Sequence, residues 1–129
     1  MSEKFKLEII TPEKVFLSEE IDSATIPSFE GEMTILKDHI PLITFLRPGL
    51  LRASGSKETK FFIEEGTVEF SENNLVVLSS TVLSMESLNK NEISKMIDES
   101  KNKLSDQKLD DKSRYIFSHK LDTLLSINQ

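Results

Sequence analysis

The hydrophobic period of this chain changes once, close to Ser84. Before that point, short apolar runs alternate with polar residues at the period of two that half-buried β-strands show. After it, apolar residues recur at the spacing of an amphipathic helix. The sequence therefore predicts an all-β domain over residues 1–84 and a helical region over residues 88–129. The segment 81–88 is the expected hinge between them.

The first region consists of short strand patterns separated by turn residues. In residues 5–9, for example, apolar side chains alternate with Lys and Glu. Strands at such even spacing, with no helical pattern between them, predict a β-sandwich or barrel. We also expect one strand that runs through Ile21 until Pro27 ends it, because proline cannot donate to a ladder. The last strand is expected to run from Leu75 to Val82.

Two apolar stripes at helical spacing make up the second region. The first stripe holds Ile93, Met96, Ile97 and Leu104, and the second holds Leu109, Ile116, Phe117, Leu121, Leu124 and Leu125. Asn89 followed by Glu92 predicts a capping box at the start of the first helix. Two amphipathic helices joined by a short polar connection (105–108) pack antiparallel. A hairpin with one apolar seam depends on docking for stability, so we expect it to be the mobile element.

Composition argues against several classes of function. The chain has no cysteine, which rules out disulfides and thiolate sites and suits a reducing compartment. Its formal charge of −6 argues against nucleic-acid binding. No targeting segment and no apolar run of roughly 18 residues is visible, so membrane association is expected only through a partner. Residues 88–129 hold eight Lys and Arg against seven Asp and Glu, whereas residues 1–87 hold eight against fifteen. The helical region is therefore the better match for an acidic surface.

Motifs for catalysis and metal binding are weak. The four glycines build neither a phosphate-binding loop nor a nucleophile elbow. His39 and His119 lack metal-ligand spacing, and His119 is expected on a solvated helix face. Asp38 beside His39 could orient a general base, but adjacent residues usually point apart and no nucleophile is identifiable. In Glu30–Glu32 two carboxylates flank a glycine, which favours a solvated turn over acid–base chemistry. We expect no catalytic residue, metal ligand or cofactor.

The segment Phe29–Arg52 carries the most specific motif of the chain. From Glu30 it follows, at nearly every position, the pattern E-G-x-x-G/T-I/V-L-P-x-H-x-P-L-L-T-x-L-x-P-G-x-x-R. This pattern resembles the epsilon subunit of F-type ATP synthases, and the resemblance extends over the whole chain. The departures are Lys37, where that family usually has Pro, and Asp38, where Gly is common.

The resemblance implies a fold and a set of partners. The fold would be a ten-stranded β-sandwich at the foot of a rotor, followed by an antiparallel helical hairpin. Such a subunit is non-catalytic, binds the gamma subunit and the c-ring, and turns with them during proton-driven rotation. It would lie peripherally at the cytoplasmic face of the bacterial inner membrane, as part of the complex. The implied contact residues are Glu30, Gly31, Glu32, His39, Ile40, Pro41 and Leu42.

The hairpin of this family can fold against the sandwich or extend along gamma into the alpha/beta hexamer and restrain ATP hydrolysis. The extended form would present basic side chains to an acidic segment of beta. These are Lys90, Lys95, Lys101, Lys103, Lys112, Arg114 and Lys120. Some members bind ATP on the hairpin, but here Asn89, Glu92, Lys120 and Leu124 stand where those members have Asp or Arg. We therefore expect no useful ATP affinity.

Two other classes of function are compatible with the residues alone. One is a free-standing β-sandwich adaptor that binds a ligand or a protein and carries a helical tail. The other is a small hydrolase that uses Asp38 and His39. Binding to a gamma subunit would exclude the first, and the lack of a nucleophile weighs against the second.

Overall fold

Ten β-strands precede two α-helices in the computed structural model, which describes residues 3–127. Residues 1–2 and 128–129, the outer ends of the two predicted regions, lie outside the described residues. The strands are β1 (Phe5–Ile10), β2 (Val15–Ile21), β3 (Ser23–Ser28), β4 (Gly31–Leu36), β5 (Leu42–Leu46), β6 (Gly49–Ser54), β7 (Glu58–Ile63), β8 (Gly66–Ser71), β9 (Asn74–Leu78) and β10 (Val82–Ser84). A 3-10 turn (Met85–Ser87) leads to α1 (Lys90–Leu104) and α2 (Asp111–Ile127). The predicted fold class is confirmed.

The strands form one hydrogen-bonded sheet that curls around its core. Its order is β10-β7-β6-β3-β5-β8-β9-β1-β2, and β4 pairs with β3. Among the described residues every pairing is antiparallel except that of β1 with β9. Alternate residues of each strand point inward, as the period of two requires. The largest fully buried side chains of this core are Phe5, Leu7, Ile9, Ile21, Ile26, Ile35, Leu46, Leu51, Ile63, Phe70 and Leu75.

Pro27 lies inside a strand, so the expectation that it ends one is wrong. The predicted strand is instead broken at Asp22, with β2 before it and β3 after it. The carbonyl of Pro27 accepts a bond from the Arg47 N–H at 3.0 Å, so the proline nitrogen faces the same side. On that side β3 pairs with β6 only through Ser23–Thr25 and with β5 only at Ser28. Pro27 falls between these pairings, where a missing N–H costs the ladder no partner.

The predicted last strand is also two strands. β9 ends at Leu78, and β10 begins at Val82 beside β7, near the other end of the sheet. Hydroxyl groups explain the break, because Ser79 Oγ donates to the Glu65 carbonyl and accepts a bond from the Thr81 N–H. These local bonds give the backbone an alternative to the ladder. The chain thereby crosses over and starts the hairpin next to β7.

The helical hairpin is folded against the sandwich. Phe62 of β7 forms a second apolar cluster with Ile93 and Ile97 of α1 and Leu124 of α2, and all four are buried. The predicted cap is present, since Asn89 Oδ1 accepts a bond from the Glu92 N–H at 2.8 Å. The Glu92 carboxylate in turn accepts from the Asn89 side-chain amide, not from its backbone. The hairpin thus covers the outer side of β6 and β7.

Candidate functional site

An uncovered apolar surface lies on the outer side of the sheet half formed by β5, β8, β9, β1 and β2. Cross-strand pairing aligns Phe45, Thr67, Leu78, Ile10 and Val15 in one continuous row. We call the exposed members of this surface the outer apolar face: Val15 (56% exposed), Ile43 (75%), Phe45 (63%) and Leu78 (48%). Contiguous apolar side chains of this kind mark an interaction site more often than scattered ones do.

A groove of about 780 Å³ borders the outer apolar face. Phe45 and Leu78 form its sandwich wall, and Lys112 and Ile116 of α2 form the opposite wall. Phe29 also lines the groove. Because α2 supplies one wall, this groove exists only while the hairpin is folded.

The turn between β3 and β4 (residues 29–32, the Gly31 turn) holds the first predicted contact residues. Gly31 has a φ of +123°, a conformation that L-residues rarely adopt, and this confirms the reason for a glycine there. Ser28 Oγ accepts the Glu30 N–H at 3.0 Å. The carboxylates of Glu30 and Glu32 are exposed, and Glu32 pairs with Arg52 at 3.2 Å. The turn is a solvated, acidic projection, as the sequence predicts.

The loop between β4 and β5 (residues 37–41, the His39 loop) holds the second predicted contacts. The His39 ring packs edge-on against buried Phe70, with centroids 5.9 Å apart, and its Nδ1 lies 2.7 Å from the Ile40 carbonyl. Asp38 instead bonds to Asn73. Asp38 and His39, the pair that a hydrolase would require, therefore contact different residues and not each other. Ile40 is 73% exposed at the tip of the loop.

These two groups of predicted contact residues do not form one patch. The Gly31 turn runs into the first residues of β4, and the His39 loop follows the last one. A six-residue strand rises about 3.3 Å per residue, so the two groups lie roughly 16–20 Å apart. Leu42 begins β5 and is half-buried. Any partner that touches both groups must span the length of the sheet.

Tyr115 of α2 links the folded hairpin to the Gly31 turn. Its ring stacks on Phe29, with centroids 5.5 Å apart and planes inclined by 13°. Its hydroxyl donates to the Phe29 carbonyl and accepts from Arg47 Nη1, both at 3.2 Å. The His119 ring lies 4.4 Å from the Tyr115 ring. We call Phe29, Arg47, Tyr115 and His119 the hairpin joint.

His119 is half-buried in this joint, so its expected place on a solvated face is wrong. Burial lowers the pKa of His119 below its ordinary 6.5, because desolvation penalises the charged ring. The positive charge of Arg47 lowers this pKa further, whereas the Asp122 carboxylate opposes the shift. The folded hairpin therefore favours a neutral His119.

The predicted basic residues of the hairpin divide into two groups. Lys90, Lys95, Lys101, Lys103 and Lys112 are exposed. The other two are engaged: Arg114 donates to the Leu104 and Asp106 carbonyls, both at 3.0 Å, and Lys120 pairs with Glu64 on the sandwich. Extension of the hairpin would have to break the Lys120 pair, which is partly shielded from solvent.

The four positions that bear on nucleotide binding are occupied by structural contacts. Asn89 and Glu92 cap α1, Lys120 pairs with Glu64, and Leu124 is fully buried. No cluster of three or more His, Asp or Glu within residues 3–127 could hold a metal ion. The absence of ATP binding stays a prediction.

The outer apolar face and the hairpin joint are the features that sequence reasoning missed. For the face a signal was present, because Leu42–Leu46 is apolar at four of five positions and a strand that is apolar on both sides is usually covered on both sides. For the joint there was none, because Tyr115 and Phe29 are 86 residues apart. Within residues 3–127, neither helix has the length and apolarity that crossing a membrane would require.

Comparison with known proteins gives one consistent family. A sequence profile described as "ATP synthase, Delta/Epsilon chain, beta-sandwich domain" matches residues 4–85. The ATP synthase epsilon chain of Pelagibacter ubique is 42% identical over 99% of this chain and all of its own length. That of Rhizobium etli is 31% identical over 82% of this chain and 80% of its own. A chain in the cryo-EM structure of the Euglena gracilis mitochondrial ATP synthase has the same fold, with a TM-score of 0.81 and 20% identity over all of this chain and 84% of that one. The chain therefore belongs to the ATP synthase epsilon chain family.

Proposed function

We propose that this protein is a non-catalytic central-stalk subunit of a proton-translocating F-type ATP synthase. In this role it couples rotation of the c-ring to the gamma subunit, while the beta subunits carry out catalysis. Its hairpin restrains ATP hydrolysis. The complex holds the protein at the cytoplasmic face of the bacterial inner membrane. The names of its relatives support the complex, and the outer apolar face supports the coupling role.

The outer apolar face is the single observation that carries this proposal. One outer side of the sandwich is covered by the hairpin, and the other presents a row of residues across five strands that is apolar on all but β8. A rotor joint has to transmit torque without slipping, which favours a broad apolar contact over isolated ion pairs, because surface ion pairs contribute little. We assign this face to gamma.

The predicted contact residues extend the same assignment at the two ends of β4. The His39 loop leads directly into β5 of the outer apolar face and carries a second exposed apolar side chain, Ile40, three residues before Ile43. We place this loop against gamma. The Gly31 turn, with the exposed carboxylates of Glu30 and Glu32, is placed against the c-ring. Two separate contacts at opposite ends would fix the orientation of the sandwich as well as its position.

The proposed restraint of ATP hydrolysis, which we call the brake, is supported by the small number of contacts that hold the hairpin to the sandwich. Its described contacts with the sandwich are one small apolar cluster, the Lys120–Glu64 pair and the hairpin joint. A released hairpin would free Lys120 from Glu64 and present it, together with the lysines that are already exposed, to an acidic surface of the hexamer. A regulatory element has to be drawn from the less stable part of a fold, and this hairpin meets that condition.

The gamma assignment is tested by placing a charge on the outer apolar face. Phe45→Glu and Ile43→Glu should each weaken binding to purified gamma by about tenfold or more, since a buried charge without a partner disrupts an apolar interface. Leu83→Glu is the matched control, because Leu83 is a partly exposed strand residue on β10, away from this face. Equal affinities for all three variants would exclude the assignment.

The coupling and brake roles are tested in the assembled enzyme. Deletion of residues 88–129 should raise ATPase activity and leave assembly intact, and unchanged activity would contradict the brake.

Glu32→Arg combined with His39→Ala should impair gamma binding or ring-coupled ATPase activity. If neither changes, the Gly31 turn and the His39 loop are not contact sites.

A further inference from the structure

Two reciprocal hydrogen bonds join the His39 loop to the turn between β8 and β9. The Asp38 N–H donates to Asn73 Oδ1 at 2.7 Å, and Asn73 Nδ2 donates to Asp38 Oδ1 at 2.9 Å. The residues are 35 positions apart, so this clamp is a tertiary contact. Both have left-handed backbone conformations, with φ of +68° at Asp38 and +59° at Asn73. Asp and Asn tolerate this region better than other non-glycine residues.

The clamped loop carries an exposed apolar side chain on a backbone that hydrogen bonds hold in place. The His39 N–H donates to the Leu36 carbonyl at 3.1 Å, and the His39 ring packs on Phe70. Ile40, the next residue, is largely exposed and lies three residues before Ile43 of the outer apolar face. An apolar residue whose backbone is already held in place loses less conformational entropy on binding, which favours its use as an anchor residue.

We propose that Asn73 is a positioning residue which, through Asp38, holds Ile40 in place as the terminal anchor for gamma. This inference rests on the proposed function, since it names a determinant of the same interface. Asn73 itself need not touch gamma. A left-handed residue at position 38 is compatible with several conformations of the His39 loop. The side chain of Asn73 restricts the loop to one of them.

The test compares glycine variants of one turn. Asn73→Gly removes the clamp while keeping a residue that accepts a positive φ. Glu72→Gly is the matched control, because Glu72 lies in the same turn with a φ of +49° but takes no part in the clamp. Asn73→Gly should weaken gamma binding by about three- to tenfold and speed exchange of the His39 amide. Glu72→Gly should do neither.

A thermodynamic cycle separates positioning from a general loss of stability. In an Ile40→Ala background, Asn73→Gly should have no further effect on gamma affinity, because the anchor that it positions is gone. In the otherwise unaltered chain, Asp38→Asn should retain near-normal binding, because the amide oxygen of asparagine can accept the same bond from Asn73 Nδ2. Additive losses in the cycle would overturn the inference. The inference would also be overturned if the unaltered chain binds gamma and the Asn73→Gly variant binds it with the same affinity. If the unaltered chain fails to bind gamma at all, the proposed function fails first.

Discussion

Leu124 offers a direct measure of how firmly the hairpin is held. Its side chain is 0% exposed and packs with Phe62 of the sandwich and with Ile93 and Ile97 of α1. Leu→Ala at fully buried sites costs about 2–5 kcal/mol, through lost transfer energy and the cavity left behind. The neighbouring Leu125 is 41% exposed, and its change to Ala should cost no more than about 0.5 kcal/mol. The two variants alter the same helix by the same atoms.

Leu124→Ala should reduce the free energy of hairpin docking more than it reduces the free energy of unfolding of the β-domain. The sandwich has a separate core that does not include Leu124. A loss of about 3 kcal/mol would shift the ratio of docked to released hairpin about 100-fold toward release. Because the chain has no cysteine, Lys57→Cys and Lys103→Cys provide two exposed sites for a pair of fluorophores.

Energy transfer between those fluorophores reports the released fraction, and urea unfolding of the β-domain is followed separately. We expect Leu124→Ala to increase the released fraction strongly and Leu125→Ala to leave it unchanged. If both variants behaved alike, or if Leu124→Ala only lowered the stability of the β-domain, the view of Leu124 as the docking contact would be refuted.

Three further predictions concern ionisation and backbone geometry. Because the pKa of His119 is lowered in the docked state, docking is favoured above pH 6.5 and weakens as the pH falls below 6.5. His119→Gln should abolish this pH dependence of energy transfer. A dependence that persists in the variant would contradict the role of His119. Hydrogen bonds from the side chain and the backbone N–H of Ser113 lower the pKa of the Asp110 carboxyl from its ordinary 3.8. Their stabilising effect is present above pH 3.8 and is lost as the pH falls through the lowered pKa. Asp110→Ala should therefore speed exchange of the Ser113 amide at neutral pH, and this difference should shrink on acidification below pH 3.8. Gly31→Ala meets no atom within 4 Å, so strain from its positive φ alone should destabilise the β-domain by about 1 kcal/mol in urea unfolding, and a neutral result would contradict this reason for the glycine.

The elements that local chemistry determines were predictable from sequence. The alternation over residues 5–9 identifies β1, and Asn89 with Glu92 identifies the start of α1. The break at Asp22 and the place of Pro27 were not predictable, because they depend on which strands pair on each side of β3. Hydrophobic period alone does not contain that information.

The candidate site divides in the same way. The Gly31 turn and the His39 loop could be found because a contiguous motif marks them, but their separation by the length of β4 is a property of the folded chain. The hairpin joint brings together Arg47 and Tyr115, which are 68 positions apart. Such contacts leave no local pattern, so only the tertiary structure reveals them.

The order of the two helices makes resistance to hairpin release depend on direction. Within residues 3–127, every polar contact identified between the hairpin and the sandwich belongs to α2, at Tyr115 and Lys120. A pull on the carboxyl end of α2 therefore loads these contacts one after another, as in peeling, and meets a small force at each step. A pull along α1 from its attachment to β10 loads them together, as in shear. A partner that captures the carboxyl end of α2 would thus open the hairpin with less force than a partner that pulls on the base of α1.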